Sequence, residues 1–125
     1  NQGLIAKPDL SKGLECWVDA DWAGSWQHGS SRDPILSYSC TGFVIRYAGC
    51  PIVWKSTMQP FIALSTTEAE DISLSTGLRE VIAIIHLLEE SKNRRFPIHS
   101  DTPRITCRTF EDNCSCIKIA TNHKT

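Results

Sequence analysis

The sequence predicts an α/β domain built on a mixed sheet, with an antiparallel hairpin and flanking helices. Strand-like alternation of apolar and polar residues begins at residue 14 and recurs near residue 105, with a hairpin pattern after the first of these runs. A long amphipathic segment separates the hairpin from the last strand. A strand that follows a helical crossover usually pairs in parallel, whereas a hairpin is antiparallel, so a mixed sheet is expected.

The first elements follow from local composition. Residues 1–13 contain two glycines and a proline and have little periodicity, which indicates a linker or a lead-in from an upstream region. The domain is therefore expected to span residues 14–125. Residues 14–19 alternate apolar and polar side chains, as a short strand does. Residues 21–37 are polar and contain glycine and proline, so they are expected to form a loop.

Residues 38–56 have the composition of a hairpin. The run from 38 to 47 (YSCTGFVIRY) is rich in residues that favour strands, and so is the run from 51 to 56 (PIVWKS). The short segment between the two runs contains Gly49. These features predict two antiparallel strands joined by a tight turn.

The clearest helix is expected over residues 66–90. Its apolar residues recur at helical spacing, and Ser65 followed by Glu68 makes a capping box at its start. The pair Thr76-Gly77 is a weak point at which the helix could bend.

The last part of the chain predicts three further segments. Residues 92–103 contain two prolines and are expected to form a connecting loop. Residues 104–110 alternate as a strand does, and residues 113–121 have apolar residues at the spacing of a short helix.

Composition limits the classes of function. The 125 residues are enough for one domain, and 41% of them are hydrophobic, which permits a buried core. The net charge is −1, so no overall positive field indicates nucleic-acid binding, and none excludes it. No apolar run reaches the roughly 20 residues that a membrane span needs, and no signal pattern is present, so an intracellular protein without membrane contact is expected.

The six cysteines have no CxxC spacing and are expected to be free thiols. A zinc site made from Cys114, Cys116 and His123 would lack one of the usual four ligands. Buried thiols that act as small hydrophobic side chains are the favoured interpretation.

Three acidic residues lie where one predicted element ends and another begins. Asp19 ends the first strand, Glu70 lies in the first turn of the long helix, and Asp112 follows the last strand. Carboxylates gathered at one sheet edge repel each other unless a divalent cation neutralises them. This placement suggests metal-assisted phosphoryl chemistry. Asp21 is an alternative to Asp19, although its position favours a turn residue that caps the following loop.

Several motifs occur in a fixed order along the chain. They are residues 17–24 (WVDADWAG), 41–44 (TGFV), 52–56 (IVWKS), 59–60 (QP) before 63–70 (ALSTTEAE), and 111–113 (EDN) followed by Ser115. Together they resemble the ribonuclease H domain of copia-type LTR retrotransposon Gag-Pol polyproteins. The resemblance covers residues 14–125, nearly the whole chain.

The resemblance implies a ribonuclease H-like fold with a five-stranded sheet and helices on both faces. It also implies endonucleolytic hydrolysis of the RNA strand of an RNA–DNA hybrid during reverse transcription, with two Mg²⁺ ions for which Mn²⁺ can substitute. Asp19, Glu70 and Asp112 match the catalytic and metal-binding acids of the family. Asp19 would bridge the two ions, while Glu70 and Asp112 would each hold one of them.

The resemblance also implies partners. The hybrid would be read by its minor-groove shape and its 2′-hydroxyls, with Asn113, Ser65 and Thr67 as candidate substrate-binding residues. An upstream reverse transcriptase domain of the same polyprotein would precede residues 1–13 and supply most of the hybrid affinity. The expected location is a cytoplasmic virus-like particle. Trp22 and Trp54 are expected to pack rather than to stack on bases.

The sequence departs from the family at three points. The family's fourth acid, near the C-terminal helix, has no match, and the C-terminal part of the domain is expected to be missing. Asp71 stands where the family usually has tyrosine. His123 lies closest to the unmatched region, but an unremarkable terminal residue is the favoured interpretation. Low or absent activity is therefore expected of this chain by itself. The alternative is a catalytically inactive remnant, or a structural module of a reverse transcriptase polyprotein.

Overall fold

The structure, a computed structural model, describes residues 3–24, 37–98 and 104–121. A short 3₁₀ helix, Leu10–Lys12, precedes the main elements. These are β1 (Leu14–Asp21), β2 (Cys40–Tyr47), β3 (Cys50–Met58), α1 (Thr66–Asn93), β4 (Cys107–Phe110) and α2 (Cys114–Thr121).

The described strands form one mixed sheet in the order β3-β2-β1-β4. β2 pairs antiparallel with both β1 and β3, and β4 pairs parallel with β1 after the α1 crossover. The predicted α/β class, with a mixed sheet, an antiparallel hairpin and flanking helices, is confirmed. The resemblance implied five strands, whereas the described part of the chain contains four.

Several element boundaries differ from the predicted ones because pairing, not local composition, sets them. β1 continues to Asp21, which pairs with Cys40, so the loop after β1 begins later than predicted. β4 begins only at Cys107, because Cys107 pairs with Leu14, the first residue of β1. Residues 104–106 therefore have no pairing partner in β1. α1 continues to Asn93, beyond the predicted start of the connecting loop at residue 92.

The core lies between α1 and one face of the sheet. Its buried members come from β1, β2, α1 and α2: Leu14, Cys16, Val18, Phe43, Ile45, Leu74, Val81 and Cys116. All six cysteines are free, as predicted. Two of them, Cys16 and Cys116, are fully buried and fill the core as small hydrophobic side chains.

Gly77 lets α1 approach the sheet closely. A Cβ atom at this position would lie 3.2 Å from Cγ2 of Val18 and 3.4 Å from Sγ of Cys16. The helix runs unbroken from Thr66 to Asn93, so the glycine serves packing and does not mark the end of a helix segment. The sequence pattern could not separate these two uses of a helical glycine.

The opposite face of the sheet carries an apolar row that crosses all four strands. Phe110, Trp17, Val44 and Trp54 are consecutive partners in the pairing register. The rings of Trp17 and Phe110 stack, with centroids 4.0 Å apart and an angle of 11° between their planes. Trp54 was expected to pack, but 64% of its surface is exposed because β3 is the edge strand. Trp22 is also partly exposed, and its Nε1 donates to the carbonyl of Ala63.

The segment before β1 is hydrogen-bonded to the hairpin. The N–H of Asp9 donates to the carbonyl of Ala48 (2.8 Å), and the N–H of Ala48 donates to the carbonyl of Gly13 (2.9 Å). These bonds hold residues 9–13 beside the β2–β3 turn. The domain start at residue 14 and the linker role of residues 1–13 stay predictions. None of the helices that the structure describes is long and apolar enough to cross a membrane.

Replacement of Gly77 by leucine should destabilise the fold. The new side chain would meet Val18 and Cys16 in a packed core, and overpacking of this kind costs about 2–3 kcal/mol. Ser75→Leu is the matched control because Ser75 lies on the same helix and is exposed. Urea denaturation would measure the free energy of unfolding of both variants. Equal values for Gly77→Leu and Ser75→Leu would contradict the close-approach explanation.

Candidate metal centre

Glu68 and Glu70, two glutamates at the start of α1, have different roles. Ser65 caps the helix, and its Oγ accepts from the N–H of Glu68 at 3.1 Å. The carboxylate of Glu68 accepts from the N–H of Leu64 at 2.6 Å, one residue earlier than in the standard capping box. The predicted capping role of Glu68 is therefore confirmed. Glu70 lies about 200° further around the helix, so its side chain points toward the sheet.

A buried polar cluster, here called the Gln59 cluster (Gln59, Thr41, Ala69 and Ser73), holds this part of α1 against the sheet. Nε2 of Gln59 lies 2.8 Å from the carbonyl of Ala69, 3.1 Å from Oγ1 of Thr41 and 3.4 Å from Oγ of Ser73. Because a carbonyl can only accept, the amide nitrogen of Gln59 must face Ala69. Oγ of Ser73 donates to Oγ1 of Thr41 at 3.0 Å. The cluster fixes the residues on both sides of Glu70.

Asp19, Glu70 and Asp112 meet at one edge of the sheet. Each offers a carboxylate oxygen, and these oxygens lie within 4.8 Å of one another. β1 and β4 are parallel neighbours, so their C-terminal ends lie side by side and bring Asp19 close to Asp112. Glu70 reaches the same point from α1. The structure thus brings the three sequence-predicted acids together, while Asp21, the alternative to Asp19, is outside this group.

The three carboxylates differ in burial and charge state. Asp19 and Asp112 are exposed, whereas Glu70 has only 7% of its surface exposed. The pKa of Glu70 is raised to about 7, chiefly by burial and in addition by the charges of Glu111, Asp19 and Asp112, against a backbone hydrogen bond from Ala20. Near neutral pH, Glu70 therefore takes up a proton easily when no cation is present.

Glu111 is a fourth acidic residue at this edge, and the sequence reasoning did not single it out. Its Oε1 accepts from the N–H of Asn113 at 3.0 Å. Burial raises its pKa, and the charges of Asp112 and Asp19 add to this effect. The signal in the sequence was the pair of consecutive acids at 111 and 112, which follows a strand directly.

The donor set fits a hard divalent cation. Oε2 of Glu70 and Oε2 of Glu111 are buried and have no hydrogen-bond partner, so both oxygens have a free coordination position. Cys116, the nearby buried thiol, has its pKa raised to about 11, chiefly by burial, so it stays protonated and does not supply a soft ligand. Carboxylate oxygens without thiolates suit Mg²⁺ or Mn²⁺. The zinc alternative depends on His123, which lies outside the described residues.

The predicted substrate-binding residues lie at the starts of α1 and α2, and none of them lines the crevice beside the carboxylates. Oδ1 of Asn113 accepts from the N–H groups of Ser115 (3.0 Å) and Cys116 (2.9 Å), so this amide caps α2. Ser65 is exposed and caps α1, and Thr67 in the following turn is half-buried.

A crevice of about 500 Å³ opens beside the carboxylates, between β1, the end of β4 and α2. Its lining residues are Trp17, Val18, Asp19, Thr109, Phe110, Glu111, Asp112 and Ile117.

Comparison with known proteins relates the chain to transposon polyproteins. It is 35% identical over 77 residues, 62% of the chain, to "Retrovirus-related Pol polyprotein from transposon TNT 1-94" of Nicotiana tabacum. It is 32% identical over 90 residues, 72% of the chain, to "Retrovirus-related Pol polyprotein from transposon RE1" of Arabidopsis thaliana. The matched segments are 5% and 6% of those polyproteins, so the chain spans only a small part of its relatives. These matches support a retrotransposon Pol region.

A relative of another description also matches. The chain is 33% identical over 66 residues to "Secreted RxLR effector protein 161" of Plasmopara viticola, which covers 53% of the chain and 41% of that protein. No family model matches the chain. No solved structure matches it either.

The stability of the metal-free protein should depend on pH through Glu70. A folded-state pKa of about 7, above the ordinary glutamate value of 4.5, means that the contribution of Glu70 to stability is fully present below pH 4.5 and is lost as pH rises through 7. Relative to Glu70→Gln, wild type should lose on the order of 2 kcal/mol between pH 5 and pH 8. Thermal denaturation in EDTA would measure this difference.

Glu80→Gln is the matched control for this prediction because Glu80 is exposed on the same helix. It should keep the pH dependence of wild type. A pH profile of Glu70→Gln that runs parallel to wild type would show that the Glu70 carboxyl does not titrate in this range.

The Gln59 cluster should be energetically coupled across α1 and β2. Gln59→Met keeps a similar volume but removes the bonds to Ala69 and Thr41, and should lower the free energy of unfolding by about 1–2 kcal/mol. Thr41→Val removes the shared hydroxyl. A double-mutant cycle of the two by urea denaturation should give a coupling of about 0.5 kcal/mol or more. Strict additivity would exclude a shared network.

Proposed function

We propose that the chain hydrolyses the RNA strand of RNA–DNA hybrids endonucleolytically, as a ribonuclease H-like domain of a copia-type retrotransposon Pol polyprotein. The observation that carries this proposal is the convergence of Asp19, Glu70 and Asp112, whose ligand oxygens lie within 4.8 Å of one another. These are the three residues that the sequence motifs assigned to a metal-dependent nuclease site, and they come from three separate elements.

The topology supports the same proposal. A strand, an antiparallel hairpin, a long helix and a strand parallel to the first occur in this order, as in a ribonuclease H-like fold. The similarity to retrovirus-related Pol polyproteins of plant transposons agrees with it, since the reverse transcription of such elements requires removal of RNA from hybrids.

The three carboxylates would hold two Mg²⁺ ions, or Mn²⁺ in their place. When bound, such a pair of ions activates the attacking water and stabilises the leaving oxygen of the phosphodiester. Asp19, exposed near the end of a central strand, would be one of the residues that hold them. Glu70 is buried and fixed beside the Gln59 cluster, and it therefore supplies a rigid ligand whose position does not depend on solvent-exposed rotamers.

The substrate would approach along the crevice and the two helix starts. Ser65 and Thr67 at the start of α1 and Asn113 at the start of α2 would contact the hybrid. Nδ2 of Asn113 can donate to a 2′-hydroxyl or a phosphate while Oδ1 caps the helix. Such contacts recognise the shape of a hybrid and its ribose hydroxyls rather than its base sequence.

The chain would act as one segment of a longer polyprotein in a cytoplasmic virus-like particle. Its net charge of −1 supplies little attraction for phosphates, so we propose that a reverse transcriptase domain of the same polyprotein provides most of the hybrid affinity.

Cleavage of a labelled RNA–DNA hybrid tests the proposed activity. Wild type with Mg²⁺ or Mn²⁺ should cut the RNA strand internally, at the low rate expected of this chain by itself, and Asp19→Asn should lower that rate by about 100-fold or more because a metal ligand is lost. Asp21→Asn is the matched control: it makes the same chemical change two residues further along β1, outside the carboxylate group, and should retain the rate. DNA duplex and double-stranded RNA should resist cleavage.

Two outcomes would contradict the proposal. One is equal loss of activity in Asp19→Asn and Asp21→Asn with both folded by circular dichroism. The other is absence of cleavage by folded wild type, which would favour the inactive remnant or structural module. In that case, hybrid binding measured by fluorescence anisotropy would distinguish a module that holds the hybrid from a remnant that does not.

A further inference from the structure

Glu111 has the features of a fourth metal-binding carboxylate. It lines the same crevice as Asp19 and Asp112. Among the charged groups that raise the pKa of Glu70, Glu111 comes first, ahead of Asp19 and Asp112, although it is not one of the three acids whose ligand oxygens lie within 4.8 Å of one another. The junction between β4 and α2 thus delivers two consecutive acids, and both of them border the metal centre.

The hydrogen bonding of Glu111 leaves one oxygen for a ligand. Oε1 is held by the N–H of Asn113 at 3.0 Å, which fixes the orientation of the carboxylate. Oε2 is buried and has no partner. A buried carboxylate oxygen without a partner costs free energy unless a proton or a cation compensates it.

A second, independent observation points to a cation in the same place. Glu70 has 7% of its surface exposed, and its Oε2 is also buried without a partner. One oxygen of Glu70 lies within 4.8 Å of oxygens of Asp19 and Asp112. The described ion pairs, Arg94–Glu90 and Arg108–Glu15, involve none of these acids.

We propose that Glu111 is a fourth metal-binding carboxylate of this centre and completes a site for divalent cations with Asp19, Glu70 and Asp112. The inference rests on the proposed function and extends it by one residue. The ligand is Mg²⁺ or Mn²⁺, since all four donors are carboxylate oxygens.

Direct measurement of Mn²⁺ binding tests this role without reference to cleavage. Mn²⁺ is titrated into metal-free protein, and the free ion is followed by electron paramagnetic resonance. Glu111→Gln should weaken binding on the order of tenfold or lower the number of ions bound, as should Glu70→Gln. Glutamine retains the oxygen that accepts from Asn113, so the variant removes the charge but preserves the link to α2.

Glu80→Gln is the matched control, since Glu80 is exposed on α1 about 15 Å along the helix from Glu70. It should bind Mn²⁺ as wild type does. The rise in melting temperature on Mn²⁺ addition provides a second measurement and should be smaller for Glu111→Gln than for Glu80→Gln. Circular dichroism verifies that each variant is folded.

The possible failures can be told apart. If Glu111→Gln binds Mn²⁺ within twofold of Glu80→Gln while Asp19→Asn loses it, Glu111 only positions Asn113, and the proposed function stands. If wild type does not bind Mn²⁺, both the four-carboxylate site and the metal-dependent function are wrong. If Mn²⁺ binding depends on Glu111 but no hybrid is cleaved, the site is right and the proposed activity is wrong.

Discussion

The attachment of the start of α1 to the sheet through the Gln59 cluster is the interaction on which the metal centre depends. Apolar contacts hold α1 over the sheet, but such contacts are not directional and tolerate small shifts along the helix axis. The bond from Gln59 to the carbonyl of Ala69 is directional, and Ser73 adds a second contact one turn later. Glu70 lies between these two residues. Its carboxylate is thereby held at the sheet edge, where repulsion from Asp19 and Asp112 would otherwise displace it.

The burial of Glu70 among other acids explains why either a proton or a cation can stabilise its carboxylate. A buried carboxylate among other acids is costly when ionised, and this cost appears as a pKa of about 7 for Glu70. A proton removes the cost at one carboxyl only, whereas a divalent cation removes it at several. Protons and cations therefore compete for Glu70, and metal binding to the centre should weaken as pH falls below 7. Because the fold holds the carboxylates close together despite their repulsion, the ligands are already in position before the cation binds.

Much of the fold could be predicted from local sequence patterns. The hairpin, the long helix with its Ser65 cap and the division of roles between Glu68 and Glu70 follow from spacing alone. What could not be predicted depends on pairing between distant segments. The start of β4 at Cys107 is set by Leu14, its partner 93 positions earlier. Gln59 was missed for the same reason, because a single polar residue at the end of an element reveals its partners only when the chain is folded.

The parallel register of β1 and β4 decides which acids converge. Trp17 pairs with Phe110, and their stacked rings fix the two strands relative to each other. Asp19 follows Trp17 by two positions, and Asp112 follows Phe110 by two. Since side chains alternate between the faces of a strand, Asp19 leaves the sheet on the same side as the stacked rings. A slip of one residue between β1 and β4 would pair Trp17 with Glu111 or Thr109, the neighbours of Phe110. It would also separate Asp19 from Asp112. The aromatic stack therefore affects the metal centre by fixing the register of β1 and β4, although neither ring supplies a ligand.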